Sequence, residues 1–275
     1  MTVPPKVEQL APAANVLTFL SRSSDKAAVE RVCVDRHVVV PCASATDAIA
    51  ALRAGRTAAL VWDISTGRGR ECADMLQRAT REGLAIPRLL VLFDVGRFDA
   101  RSLLGLVAVT RDLQVSLRRV DDVASDLTIL LAAKDRGTPE GSILRRFLQI
   151  AITPALQVVI AALLVGKQRT SVRAFAKLLG VPMRTLQSRL NSVGLPTAED
   201  LLGWAVSLWT EWRTEVLRLP LKNLLAASHF TTMEAQASYV ARHVGARPHQ
   251  LAVTVGFEEL LDRFMAMVLP AVEES

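Results

Sequence analysis

Residues 58–93, AALVWDISTGRGRECADMLQRATREGLAIPRLLVLF, contain two short apolar runs on either side of a helical pattern. The runs at 58–62 and 89–93 are mostly apolar, which is typical of parallel strands whose two faces are covered by helices. Residues 71–82 between them have the spacing of an amphipathic helix. This strand–helix–strand unit favours an α/β fold.

Similar units occur on both sides of this stretch. Further strands are predicted at residues 16–20, 38–40 and 113–117, and further helices at residues 25–35, 46–53, 99–108 and 123–133. Five successive strand–helix units predict a doubly wound, five-stranded parallel sheet over residues 14–135. The polar stretch 134–141 contains two glycines and a proline, so a linker is predicted at residues 136–143.

After the linker the strand signals stop, and residues 144–275 are predicted to form an all-α domain. The twenty residues 147–166 carry no charge and are long enough to span a bilayer. From Pro154 onwards, however, the apolar positions repeat with helical spacing, and Gln157 lies among them. A buried helix that opens the domain is therefore preferred to a membrane span.

The composition excludes several classes of protein. Apolar residues make up 51% of the chain and charged residues 22%, so it is not a disordered tail. Cys33, Cys42 and Cys72 have no paired spacing, which argues against a disulfide scaffold or a cysteine zinc site. The first residues lack the pattern of a secretory signal. We expect a cytoplasmic protein that uses no cofactor and no metal.

The net charge of +6 is unevenly distributed. Residues 141–198 contain eight basic residues and no acidic one, whereas the last 28 residues contain one basic residue and five acidic ones. A surface that contacts phosphates needs a concentrated basic segment of this kind. The alternative is a solvated helical face, and we rank nucleic-acid binding above it.

Residues 171–192, SVRAFAKLLGVPMRTLQSRLNS, lie within this basic segment and predict two short helices joined by a tight turn. Ser171 is a suitable N-cap for the first helix, and Gly180 can end it in a left-handed conformation. Pro182 is predicted to open the second helix, where its missing N–H costs nothing.

The second of these helices has two distinct faces. Leu186 and Leu190 are four residues apart and should face inward. The opposite face carries polar side chains: Arg184, Gln187, Ser188 and Asn191. Arginine suits guanine edges and the amides suit adenine edges, so the pair is predicted to be a helix-turn-helix that reads the major groove.

Residues 171–196 resemble the first helix-turn-helix of the AraC/XylS family of transcription regulators. The shared features are an alanine in the first helix (Ala176), a glycine turn (Gly180) and a recognition helix of similar sequence. Residues 198–217 fit the family's connecting helix, and residues 221–251 resemble its second helix-turn-helix. The matching positions there are Phe230, Thr231 as N-cap, Val240, Gly245 and Pro248.

The resemblance, which covers about residues 144–252, implies base contacts by Arg184, Gln187 and Ser188 and phosphate contacts by Arg189 and nearby basic side chains. The predicted DNA-binding residues of the first motif are Arg173, Lys177, Met183, Arg184, Gln187, Ser188, Arg189 and Asn191. The second motif presents Glu234 and no arginine on its contact face. It is expected only to buttress the first or to touch the backbone, with Thr232 and Arg242 as candidate contacts.

The first part of the chain resembles the receiver domain of response regulators, which has a flavodoxin-like fold. Asp63 ends the third predicted strand, where a receiver has its phospho-acceptor. The acidic metal ligands, the hydroxyl and the lysine that the chemistry needs are missing from the other strand ends. We therefore predict a pseudo-receiver in which Asp63 is a vestigial acceptor and serves as a strand-end cap or as the partner of Arg118.

The leading hypothesis is a regulator without enzyme activity that binds specific double-stranded DNA as a homodimer. The resemblance to receivers implies dimerisation through the fourth and fifth units, and a small ligand or partner protein could bind at the strand ends. The alternative is a protein-interaction module that docks another regulator and has degenerate DNA-binding motifs. A flavodoxin-like enzyme or ligand binder is a third, weaker hypothesis.

Overall fold

The computed structural model describes residues 14–65, 68–94, 99–118, 120–132, 137–215, 218 and 230–273. In the first part, strands and helices alternate: β1 (Ala14–Phe19), α1 (Ser23–Cys33), β2 (His37–Pro41), α2 (Ala45–Arg53), β3 (Thr57–Asp63), α3 (Gly69–Arg81), β4 (Arg88–Phe93), α4 (Ala100–Val107), β5 (Leu113–Leu117) and α5 (Val123–Ala132). In the second part, the described elements are all helices: α6 (Pro139–Arg145), α7 (Pro154–Val165), α8 (Val172–Leu178), α9 (Met183–Ser192), α10 (Ala198–Glu215), α11 (Met233–Val244), α12 (Pro248–Thr254) and α13 (Gly256–Glu273).

The five strands form one parallel sheet in the order β2-β1-β3-β4-β5. One face packs on α1 and α5, and the other packs on α2, α3 and α4. Phe19 and Trp62, on adjacent strands, stack with their ring centroids 3.8 Å apart on the second of these faces. The predicted doubly wound α/β sheet is confirmed.

The core on the α2–α4 face continues without a break into the helices of the second part. The element that joins the two is α6, which lies against β5 and α4. The predicted linker 136–143 includes residues 139–143, which form most of α6 and are largely buried. The division into two domains remains a prediction.

Local hydrogen bonds explain why this polar stretch is buried. The Thr138 hydroxyl accepts a hydrogen bond from the Gly141 N–H at 3.1 Å and donates one to the Leu113 carbonyl on β5. A side chain at Gly141 would collide with the Arg111 backbone, so only glycine allows α6 to approach this closely. This position of α6 covers part of the α4–β5 surface, which the resemblance to receivers implies for dimerisation.

The uncharged stretch 147–166 does not form a single helix. Helix α7 begins only at Pro154, after the N-cap Thr153, and ends at Val165. Within the described residues, no helix is long and apolar enough to cross a membrane.

Helix α10 is the centre of the second part and contacts α7, α11, α12 and α13. It matches the predicted connecting helix to within its last two residues, which lie outside the described part of the chain. Gly166 and Gly203 permit its close contacts, because a Cβ there would collide with Ala205 and with the His243 ring, respectively. The long helix therefore holds α7 and α11 on its surface.

Candidate nucleic-acid interface

Helices α8 and α9 are short and are joined by a tight turn. The Ser171 hydroxyl caps α8 by accepting a hydrogen bond from the Ala174 N–H at 3.2 Å, as predicted. Gly180 follows the end of α8 with φ +69°, the left-handed conformation expected for it. Pro182 was predicted to be the first residue of α9, but its extended backbone (ψ 143°) makes it the N-cap instead. Because proline has no side-chain acceptor, the N-cap residue leaves the first N–H groups of α9 without a side-chain hydrogen bond.

The two faces of α9 are as the sequence predicts. Leu186 and Leu190 are buried against the helical core. The predicted contact residues Met183, Arg184, Ser188, Arg189 and Asn191 are exposed on α9, and Arg173 and Lys177 are exposed on α8. Helix α9 therefore presents a polar, basic surface to solvent.

Gln187 is half-buried, and its amide is partly occupied. Its Nε2 donates a hydrogen bond to Asn191 Oδ1 at 2.9 Å, and its Oε1 accepts one from the Ala198 N–H at 3.5 Å. Its two polar atoms therefore have partners in the unbound protein. The spacing of four residues between Gln187 and Asn191 is the sequence signal for the first of these bonds.

The basic residues of segment 141–198 have different surroundings in the structure. Arg146 lies 2.9 Å from Glu258 and 3.0 Å from Asp262 of α13. Arg169 lies over the rings of Phe230 and Tyr239, at 5.3 and 5.8 Å from their centroids. Within this segment, the exposed cations that have neither an ion pair nor an aromatic ring contact among the described residues are Arg173, Lys177, Arg184 and Arg189.

Lys167 belongs to the same basic segment but is buried at the junction of the two parts. Its Nζ lies 2.8 Å from Glu140 Oε1, 3.4 Å from Asp121 Oδ2 and 3.9 Å from Asp126 Oδ1. It also donates a hydrogen bond to the Val115 carbonyl on β5. We call these four charged residues the Lys167 cluster. Lys167 has only 3% of its side chain exposed, so it does not contribute to the basic surface.

The carboxylates of the Lys167 cluster outnumber its cation. Burial raises the pKa of Asp126 to about 7, although Lys167 opposes the shift, and burial also raises the pKa of Glu140. For Lys167, burial lowers the pKa, but the three carboxylates outweigh it and hold the pKa above its ordinary value. The ammonium is therefore charged at neutral pH and holds α6 and α7 against β5 and α5.

The second predicted motif is only partly within the described residues, because 221–229 lie outside them. Thr231 was predicted to cap its helix, but Thr232 does so and accepts a hydrogen bond from the Ala235 N–H at 3.1 Å. Gly245 ends α11 with φ +77°, and Pro248 is the first residue of α12. Thr232, which was predicted to lie on the contact face, is therefore the N-cap of α11, and it is still exposed.

The charged side chains of α11 and the following turn have acidic neighbours. Arg247 lies 3.2 Å from Glu234, and Arg242 lies 3.9 Å from Glu199. Arg242 is nevertheless 69% exposed, so its pairing is loose. The sequence did not point to Arg247, whose partner is thirteen residues away. This surface is close to electrically neutral, unlike that of α8 and α9.

At the carboxyl ends of the strands, Asp63 is buried beside Arg118. The guanidinium donates hydrogen bonds to Asp63 Oδ1 at 2.9 Å and to Asp25 Oδ2 at 2.6 Å. The Ser21 hydroxyl donates to the other oxygen of Asp63 at 2.6 Å. The predicted pairing of Asp63 with Arg118 is confirmed, and Asp25 of α1 also reaches the site.

These contacts determine the charge state of Asp63. Burial raises its pKa, but hydrogen bonds from Arg118, Ser21 and the Ser65 N–H outweigh burial and lower the pKa to about 2. Both carboxylate oxygens have donors, and the guanidinium supplies a positive charge between two aspartates. Among the described residues, no group of three or more acidic, histidine or cysteine side chains could hold a metal ion.

No protein-family model matches this sequence, and no curated protein matches it either. The likenesses to the AraC/XylS family and to receivers are therefore likenesses of motifs.

Proposed function

We propose that the chain is a DNA-binding transcription regulator in which α8 and α9 form a helix-turn-helix and α9 enters the major groove. One observation carries the proposal: two adjacent helices expose four cations that have no ion pair among the described residues, namely Arg173, Lys177, Arg184 and Arg189. Cations that remain free in the folded protein are available for phosphates and base edges.

The start of α9 is suited to this role. Its first N–H groups have no side-chain cap, so they can donate to a DNA phosphate at the positive end of the helix. Arg184 lies in the first turn, the part of a recognition helix that contacts base edges in this type of motif. Ser188 and Asn191 continue the same exposed face.

Gln187 and Asn191 act in this proposal as a linked pair. Their mutual hydrogen bond fixes both amides before DNA arrives. A bidentate contact of Gln187 with adenine requires its two polar atoms to exchange their present partners for the base. Arg184 needs no such exchange and is therefore the main base-reading residue.

The remaining elements are proposed to support this surface. The helices around Thr232 and Arg242 are proposed as a second helix-turn-helix that buttresses the first through α10 and touches the backbone at most. The α/β part is proposed as a pseudo-receiver for signal input, in which Arg118 supplies the positive charge beside Asp63. Because α6 covers part of the α4–β5 surface, a homodimer would require a different face.

The experiment is selection of binding sites from a random duplex DNA pool by the full chain in moderate salt. The expected result is enrichment of one short sequence by the parent. Replacing Arg173, Lys177, Arg184 and Arg189 with glutamine should abolish the enrichment. A matched control replaces Lys26, Arg31, Arg36 and Arg101, which are exposed on the α/β part, and loses the same charge.

Enrichment that survives the first set of changes, or that is lost equally in the control, would contradict the proposal. The half-buried Gln187 and the neutral α11 surface favour a second candidate, a module that docks another regulator. A chain that selects no sequence and binds DNA without salt dependence would support that candidate instead.

A further inference from the structure

A cavity of about 360 Å³ lies beside the inner face of α9. Its walls come from the first turns of α7, the turn between α8 and α9, and the connection from α9 to α10. Most of the lining is aliphatic and includes Val158, Leu179, Val181, Leu190, Val193 and Leu195. Among the described residues that line it, none is acidic or aromatic.

Three polar residues complete the lining: Gln157, Arg189 and Ser192. Ser192 donates its hydroxyl hydrogen to the Arg189 carbonyl at 2.9 Å, which leaves the guanidinium uninvolved. Arg189 is exposed and has no ion pair among the described residues. The cavity therefore combines an aliphatic interior with one cation and no anion.

We propose that this cavity binds a small aliphatic carboxylate, with its acyl chain among the aliphatic walls and its carboxylate on Arg189. The volume lies in the range of small-molecule sites. A guanidinium pairs with a carboxylate through two parallel hydrogen bonds. A sugar or other polyhydroxylated ligand would leave hydroxyl groups without partners against these walls. The charge and the lining therefore select an acyl chain with one anionic end.

The ligand would also regulate the chain, an effect that rests on the proposed function. Arg189 is one of the four cations assigned to DNA. A carboxylate paired with it removes one phosphate contact and places a negative charge beside the phosphates. The acid therefore acts as an effector that weakens DNA binding.

The direct test is calorimetric titration of the full chain with octanoate, with 1-octanol as the uncharged control. The expected result is saturable binding of one octanoate per chain and at least tenfold weaker binding of octanol. Arg189→Gln should weaken octanoate binding at least tenfold and leave octanol binding unchanged. Absence of saturable octanoate binding, or equal binding of the two probes, would overturn the proposal.

A second variant locates the acyl chain. Val158→Trp fills the cavity and should abolish octanoate binding, whereas Val38→Trp, at an exposed position on β2, should bind like the parent. Parent-like binding by Val158→Trp would overturn the assignment of the cavity. If Val158→Trp does not fold, titration of Arg189→Gln, a change at an exposed residue, with octanoate and octanol still tests the proposal.

The two proposals can fail separately. DNA binding by the parent with no octanoate binding would refute the acid site alone. Octanoate binding by a chain that selects no DNA would support the site and refute the proposed function. If both proposals hold, saturating octanoate should weaken DNA binding by the parent at least threefold. The same concentration of octanoate should leave DNA binding by Arg189→Gln unchanged.

Discussion

Lys167 and the cations of α8 and α9 come from the same acid-free segment, yet their surroundings are opposite. Lys167 is buried within 4 Å of three carboxylates that come from Asp121, Asp126 and Glu140. Arg184 and Arg189 are exposed and have no ion pair among the described residues. The sequence gives the number of cations in a segment, but only the fold determines which of them stay exposed and without an ion pair.

The difference also separates two physical roles. A buried cation among carboxylates contributes to stability, because removing it leaves uncompensated charge in the interior. An exposed cation contributes little to stability and keeps its charge available for a partner. The two regions should therefore respond in opposite ways when their charges are removed.

The largest effect is expected for Lys167→Met. Among the described residues, Lys167 is the only cation within 4 Å of these three buried carboxylates, so the free energy of unfolding should fall by about 3–5 kcal/mol. Urea denaturation followed by circular dichroism measures it. Lys177→Met is the matched control on the exposed surface and should change stability by less than about 0.5 kcal/mol. Equal stability of the two variants would contradict the comparison.

The next effect is the dependence of stability on pH. Burial raises the pKa of Asp126 to about 7, so between about pH 4 and pH 7 the folded state holds a proton that the unfolded state has lost. The free energy of unfolding should therefore fall as pH rises through this window, on the order of 1 kcal/mol per pH unit. The charged groups that act on Asp126 are Asp121, Glu140, Lys167 and Arg213.

Two comparisons check the assignment of this slope. Asp126→Asn should remove the share of the slope that Asp126 contributes, because the amide does not titrate. Burial also raises the pKa of Glu140 and raises that of Glu211 to about 7, so these two groups should keep a slope of the same sign. Asp63 should add nothing between pH 4 and 7, because its pKa is lowered to about 2 and its contribution is lost only as pH falls toward that value. A slope as steep as the parent's in Asp126→Asn would contradict the assignment to Asp126.

The third largest effect is expected for Arg184→Gln, and it is an effect on the free energy of DNA binding. It should weaken binding to the selected DNA by about 1–3 kcal/mol and relax the preference at one base position. Arg189→Gln should instead weaken binding to all sequences alike, because it contacts phosphate. Fluorescence anisotropy with the selected site and single-base variants distinguishes the two patterns. Unchanged base preference in Arg184→Gln would remove it from the reading face.

The smallest effect is expected on the second helix pair. Arg242→Gln and Arg247→Gln should each weaken DNA binding by less than about 0.5 kcal/mol, since acidic neighbours already offset these cations. The same anisotropy assay applies. Losses as large as that of Arg184→Gln would show that α11 contacts DNA directly.

Local patterns allowed much of this structure to be predicted. The five strands and their helices follow from apolar runs and helical spacing, which are properties of neighbouring residues. The pairing of Asp63 with Arg118 could also be predicted, because the ends of parallel strands lie at one edge of the sheet. The caps were less accurate: Pro182 and Thr232 differ from expectation by one position, since a cap depends on backbone angles that sequence spacing does not determine.

The burial of α6 and of Lys167 could not be predicted in the same way. Glu140 precedes Lys167 by 27 residues, and Asp121 precedes it by 46. No periodic pattern links such positions, and a stretch with two glycines and a proline is typical of a loop. Only the packing of α6 on β5 brings these charges together. Segment 141–198 therefore offers fewer free cations than its eight basic residues suggest, because Arg146 and Lys167 pair with carboxylates and Arg169 lies over two aromatic rings.

The most direct test of the account is the salt dependence of DNA binding by the full chain. The variant that replaces Arg173, Lys177, Arg184 and Arg189 with glutamine should lose about 3–4 units of the slope of log affinity against log salt concentration, if each cation contacts one phosphate. The control that replaces Lys26, Arg31, Arg36 and Arg101 should keep the parent slope. Equal slopes for the two variants would contradict the assignment of the DNA-binding surface to α8 and α9.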